Sequence, residues 1–152
     1  VTEMITGADL VSFGIKVAAG EPLPISQSEV QISGHAIQTR INAEDPFTLK
    51  PSPGRIWECH WPGGPGVRVD THSHTGYDMP PSFDSLLAKV IVWAPDREEA
   101  IAKMDAALAE TIIIGVDTLI PLHRAILSEP DFRNGDITIA YLDEHPGILD
   151  GV

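Results

Sequence analysis

Arg40 is the residue of this chain best placed by type and context to do chemistry. A guanidinium is planar and permanently charged, and it grips a carboxylate or a developing oxyanion with two parallel hydrogen bonds. Arg40 lies in Thr39-Arg40-Ile41-Asn42-Ala43-Glu44-Asp45-Pro46, which Pro51-Ser52-Pro53-Gly54 follows closely. Ile37, Thr39 and Ile41 alternate with Gln38, Arg40 and Asn42, so the pattern predicts a strand over 35–42 with an apolar inner side and a polar working side. The plain alternative for Arg40 is a surface ion pair with Glu44 or Asp45, of small energetic worth.

Other constellations compete. Asp70-Thr71-His72-Ser73-His74 would, on one strand, aim Asp70, His72 and His74 at a single metal ion that activates water, as on the first metal-binding strand of amidohydrolases. That motif belongs to a barrel of about 250 residues, and this chain has 152. Gly63-Gly64-Pro65-Gly66 lacks the Gly-Lys-Ser/Thr ending of a phosphate loop and reads as a turn. Asp84-Ser85 with His123 has the residue types of a hydrolase triad but no nucleophile elbow. Lys89, inside an apolar run, is expected to pair with a carboxylate or to snorkel outward, with pairing favoured.

Composition sets the frame for these residues. The chain suits one domain with its own core, and an apolar fraction of 43% argues against disorder. A net charge of −12, from 22 acidic and 10 basic residues, opposes binding to nucleic acid or to an anionic membrane surface. Cys59 is alone, so the chain forms no internal disulfide and no zinc knuckle. No apolar run approaches the ~20 residues of a membrane span, and no signal peptide is visible. These features make the cytoplasm the expected location, and a chain opening on Val1 reads as a fragment or a processed product.

The elements follow from periodicity. Residues 9–19 predict a helix started by Thr6 or Asp9 and ended by Gly20 and Pro22, apolar enough to be well buried. Residues 46–54 must be irregular, because three prolines fix the backbone. Residues 55–61 and 67–71 predict two short strands joined by a turn, and 86–93 a central strand covered on both faces. Asp96 with Glu99 predicts a capping box for a helix whose buried stripe is Ile101, Met104 and Leu108. Residues 111–114 predict a strand. Thr118 is expected to cap a further helix with Leu119, Leu122 and Ile126 inward, and residues 138–144 a closing helical turn. The fold class is α+β, a mainly antiparallel sheet flanked by helices. A domain over 1–145 and a flexible tail over 146–152 complete the expectation.

Several segments, in order, resemble the C-terminal domain of biotin carboxylase, the ATP-dependent component of acetyl-CoA carboxylase and related enzymes. They include Val1-Thr2-Glu3-Met4-Ile5-Thr6-Gly7, Ala18-Ala19-Gly20-Glu21-Pro22-Leu23, Gly34-His35-Ala36, Arg40 through Pro46, and Pro51-Ser52-Pro53-Gly54. Pro62-Gly63-Gly64, Gly66-Val67-Arg68, Gly76-Tyr77, Asp84-Ser85-Leu86 with Lys89, and Arg97-Glu98-Glu99-Ala100 continue the match.

The resemblance implies that bicarbonate is activated as carboxyphosphate, whose carbon dioxide passes to biotin on a carrier domain. ATP with Mg or Mn would be bound mainly by regions absent here. It implies that Arg40 lies near bicarbonate and steadies the negative charge on the ureido oxygen, and that Ile139 lines the adenine pocket; a core contact is the plain alternative for Ile139. The implied partners are the ATP-grasp and N-terminal domains, the biotin carboxyl carrier domain, a carboxyltransferase and a second copy in a homodimer. The family's Glu-x-Asn-x-Arg-x-Gln-Val-Glu-His segment is absent, so the isolated chain is expected to be inactive. A non-catalytic assembly domain of the same fold is the alternative. Ser82-Phe83, Asp117-Thr118-Leu119, Pro65 and Ala140 depart from the commoner family pattern, which touches dimer contacts and nucleotide packing but not Arg40.

Overall fold

A computed structural model describes residues 1–150. Two helices open the chain, α1 (Thr2–Thr6) and α2 (Leu10–Ala18), followed by a short 3-10 turn at Gln27–Glu29. Then come β1 (His35–Asn42), β2 (Gly54–Arg55), β3 (Glu58–His60), β4 (Val67–Thr71), β5 (Asp78–Met79) and β6 (Leu86–Ala94). The second half holds α3 (Arg97–Glu110), β7 (Ile112–Ile114), α4 (Ile120–Ser128), α5 (Pro130–Asn134) and α6 (Tyr141–Glu144). All strand pairs are antiparallel. The α+β class expected from the sequence is the observed one.

The main sheet has the order β1-β6-β4. β6 is central, which explains its nearly unbroken apolar run. The register places Ile37 opposite Val92, Thr39 opposite Val90 and Ile41 opposite Ala88. These residues form the inner face, and α3 packs onto it through Ile101, Met104 and Leu108. On the other face Gln38 lies opposite Ile91 and Arg40 opposite Lys89, with Arg68 and Asp70 completing those rows on β4. A second, smaller core of Ala43, Ile56, Met79 and Leu87 holds the loops beyond the sheet.

Asp96 caps α3 by accepting a hydrogen bond from the Glu99 N–H at 2.9 Å. Gly66 permits the turn into β4 because its backbone has φ +75°, and its carbonyl accepts from Trp93 N–H at 2.8 Å. A side chain at Gly66 would meet the Trp93 carbonyl oxygen at 2.7 Å, too close for any Cβ.

Several elements differ from expectation. The 9–19 helix forms, capped by Asp9, but none of its residues is buried: Val11 is 71% and Ile15 66% exposed. Its apolar character is therefore not satisfied within the described residues. Residues 55–61 do not make one strand. Ile56, fully buried, separates β2, which pairs with β5, from β3, which pairs with β7. Thr118 does not cap α4; the N-cap is Leu119, without a side-chain cap. Pro121 occupies the first turn as expected, and of the three inward residues only Leu122 is fully buried.

At the chain's end His145 stacks on Tyr141 with ring centroids 4.2 Å apart, and residues 146–150 run as turns. The rest of the expected tail lies outside the described residues.

The inner face makes a direct stability prediction. Leu108 is 1% exposed at the centre of the α3–sheet packing. Leu108→Ala is expected to lower unfolding free energy by about 2–5 kcal/mol, measured by urea denaturation with an unchanged m-value.

Candidate active-site wall

Arg40 projects from the outer face of β1 with its side chain 54% exposed. Its Nη2 donates to Asp84 Oδ2 at 3.2 Å. The expected partners, Glu44 and Asp45, are otherwise engaged. Glu44 Oε1 accepts from Asn42 Nδ2 at 2.9 Å and from Ser85 Oγ. Asp45 Oδ1 accepts from Thr48 N, Phe47 N and Thr48 Oγ1, and the bonds from Thr48 lead in holding its carboxyl below the usual carboxylate range. Asp84, 44 residues further along the chain, is the carboxylate left for Arg40.

The Arg40–Asp84 pair is solvent-exposed on both sides, at 54% and 67%. Such pairs contribute about 0–1 kcal/mol. The contact therefore orients the guanidinium more than it stabilises the fold. Nη1 and Nε have no protein acceptor among the described residues, so the fork retains donors for an incoming anion.

The main chain of Arg40 is held separately. β1 is an edge strand, and an edge leaves backbone groups without sheet partners. The start of α4 takes up two of them. His123 Nε2–H donates to the Arg40 carbonyl at 2.9 Å, and Leu119 N–H donates to the Asn42 carbonyl at 3.3 Å. A carbonyl only accepts, so His123 must carry its proton on Nε2. Burial pushes His123 below the ordinary imidazole range, against the opposing effect of that hydrogen bond. Asp117 braces the proline-rich loop. It accepts from Ser52 Oγ at 3.1 Å and returns its N–H to the same oxygen at 3.0 Å.

The competing constellations do not assemble. β4 ends at Thr71, so Asp70, His72 and His74 do not share a strand face. Arg68 grips Asp70 with two bonds of 2.8 and 3.0 Å. His72 packs edge-on to Tyr77 at 5.2 Å, and His74 Nδ1–H donates to the Thr75 carbonyl. No group of three metal-ligating side chains exists among the described residues. The triad fails as well: Ser85 bonds Glu44, Asp84 bonds Arg40, and His123 faces a carbonyl. Lys89 lies between Arg40 and Asp70 in the register but makes no ion pair among the described residues, contrary to the expected pairing.

Ile139 is not a core residue of this chain. It is fully exposed at the rim of a hollow of about 470 Å³ that Phe132, Tyr141 and Leu142 help to line. Residue patterns gave no sign of either the Asp84 partner or the His123 tether, since both contacts span long stretches of chain.

Residues 38–144 match the family model for the biotin carboxylase C-terminal domain. The chain belongs to that family. It is 49% identical over 148 residues to the biotin carboxylase of Haemophilus influenzae, covering 97% of this chain and 33% of the relative. It is also 49% identical over 146 residues to a pyruvate carboxylase subunit of Methanothermobacter thermautotrophicus, covering 95% of this chain and 30% of the relative. Among solved structures, the biotin carboxylase domain of Hydrogenobacter thermophilus 2-oxoglutarate carboxylase superimposes with a TM-score of 0.96 at 48% identity. The match covers 100% of this chain and 34% of the other. That structure is a dimer in complex with MgADP, ADP and bicarbonate. The chain thus spans about a third of the length of the curated relatives it matches. No helix among the described residues is long and apolar enough to cross a membrane.

His123 carries a pH prediction. Its folded pKa lies below the ordinary 6.5, so protonation favours the unfolded chain. Its share of stability is complete above about 6.5 and is lost as pH falls from there through the folded pKa. Urea unfolding from pH 7.5 to 5 is expected to show this loss, and His123→Gln to remove that share of it. NMR is expected to place the His123 titration midpoint below 6.5.

Proposed function

We propose that this chain is the C-terminal domain of an ATP-dependent biotin carboxylase and forms one wall of the site where bicarbonate-derived carbon dioxide is transferred to biotin. The observation that carries the reading is Arg40. It stands on the outer face of a sheet whose other face is fully packed, it is held by one weak carboxylate contact, and it keeps unassigned donors. Arg40 would meet bicarbonate and, with biotin bound, its guanidinium would steady negative charge on the ureido oxygen. A preorganised cation facing the place where charge develops is an efficient source of rate enhancement. The bicarbonate and MgADP in the Hydrogenobacter thermophilus domain support bicarbonate and Mg–ATP as ligands of the assembled enzyme.

The chain's own residues fit only part of the nucleotide. Ile139 and its neighbours offer an apolar rim suited to an adenine face. Mg or Mn would be held with the nucleotide mainly by the ATP-grasp region. The exposed apolar side chains of α2, Leu10, Val11, Ile15 and Val17, suit burial against the remaining ATP-grasp and N-terminal domains. The relatives, about three times as long, have the polypeptide to cover them. The Hydrogenobacter thermophilus domain, a dimer, supports a homodimer. A biotin carboxyl carrier domain and a carboxyltransferase complete the assembly.

In the full-length carboxylase, Arg40→Ala is expected to lower the rate of biotin carboxylation by about 100-fold or more while leaving ATP affinity within about twofold. Steady-state kinetics with free biotin measure both, and unchanged carboxylation would remove Arg40 from the site. The 152-residue chain alone is expected to show no bicarbonate-dependent ATP turnover.

A further inference from the structure

We infer that His123 is a positioning residue for Arg40, acting through the main chain; this rests on the reading of Arg40 given above. Arg40 has two attachments. At the tip, Asp84 holds Nη2 through an exposed and weak pair. At the root, His123 Nε2 holds the carbonyl at 2.9 Å. The ladder register shifts between Ile41 and Asn42, so regular pairing with β6 fixes the backbone only as far as Ile41, one residue past Arg40. The two bonds from α4, to the carbonyls of residues 40 and 42, bracket that irregularity. His123 is partly buried and its ring is otherwise uncommitted, so its one polar contact among the described residues is the Arg40 carbonyl. A guanidinium at the end of a long side chain amplifies any rotation of its Cα. A misplacement of about 1 Å can cost 100-fold in rate. Beside the β1–β6 register, the tether of the Arg40 main chain is therefore α4, whose His123 bonds neither the guanidinium nor Asp84.

The test uses the full-length carboxylase with two variants of similar bulk. His123→Gln keeps an N–H donor, and His123→Leu removes it. The Leu variant is expected to lose about tenfold in kcat for biotin carboxylation, with KM for ATP and the thermal midpoint close to those of the Gln variant, which retains most of its activity. A second arm repeats the Leu substitution in an Arg40→Ala background. If His123 works only through Arg40, it causes no further loss there. Equal kcat for the Leu and Gln variants, or multiplicative losses with Arg40→Ala, would overturn the inference. Full activity of Arg40→Ala alone would instead overturn the functional reading beneath it, so the two failures are distinguishable.

Discussion

The register of β1 on β6 is the constraint on which the rest of this structure depends. Side chains on a strand alternate faces, so a slip of one residue would send Arg40 into the packed interior and Ile41 into solvent. The observed register prevents that slip because Ile37, Thr39 and Ile41 meet Val92, Val90 and Ala88 beneath α3. Burial of those apolar groups drives the sheet together. The cation on the other face is a consequence of that packing. The chemistry of the outer face is thus specified by the hydrophobic pattern of the inner one.

Two kinds of interaction then refine where Arg40 points. Local acidic residues are satisfied by their own turn and by neighbouring hydroxyl and amide groups, which leaves Asp84 for the guanidinium. The pair is too exposed to matter much for stability, and that weakness suits the proposed role, in which Arg40 would exchange Asp84 for an arriving anion. The main chain is held by α4, whose first turn caps the open edge of β1. A held root with a loosely held tip suits the proposed charge stabilisation, since a donor so arranged would need little reorganisation.

Much of this was legible in the sequence where periodicity is strong. β1, β6 and α3 each carry a pattern with one physical solution: alternation for a half-buried strand, an apolar run for a central one, a three-four stripe for a helix on a sheet. The family motifs suggested the role proposed for Arg40, which spacing alone left open against a surface ion pair. What was not legible was mostly non-local. Nothing in residues 54–61 says that β2 joins β5 while β3 joins β7, because each segment is two or three residues long and its partner is distant in the chain. α2 misled because an all-round apolar helix normally signals burial, whereas none of its residues is buried among the described ones. His123 invited comparison with a catalytic triad, but its hydrogen bond goes to a backbone carbonyl, a kind of partner that residue patterns do not reveal.

Of the residues read in the sequence as departures from the family pattern, Asp117 and Leu119 make local contacts. Asp117 ties the proline-rich loop to the start of α4 through Ser52, and Leu119 contributes a backbone N–H, which any residue but proline could supply. Phe83 lies exposed next to Asp84 without contacting Arg40 by hydrogen bond or ion pair. The most direct test of the account is a crystal structure of the full-length carboxylase with biotin bound. The account predicts the Arg40 guanidinium within about 3 Å of the ureido oxygen, its backbone still held by His123. Arg40 turned to bulk water, with biotin contacted only by the other domains, would contradict it.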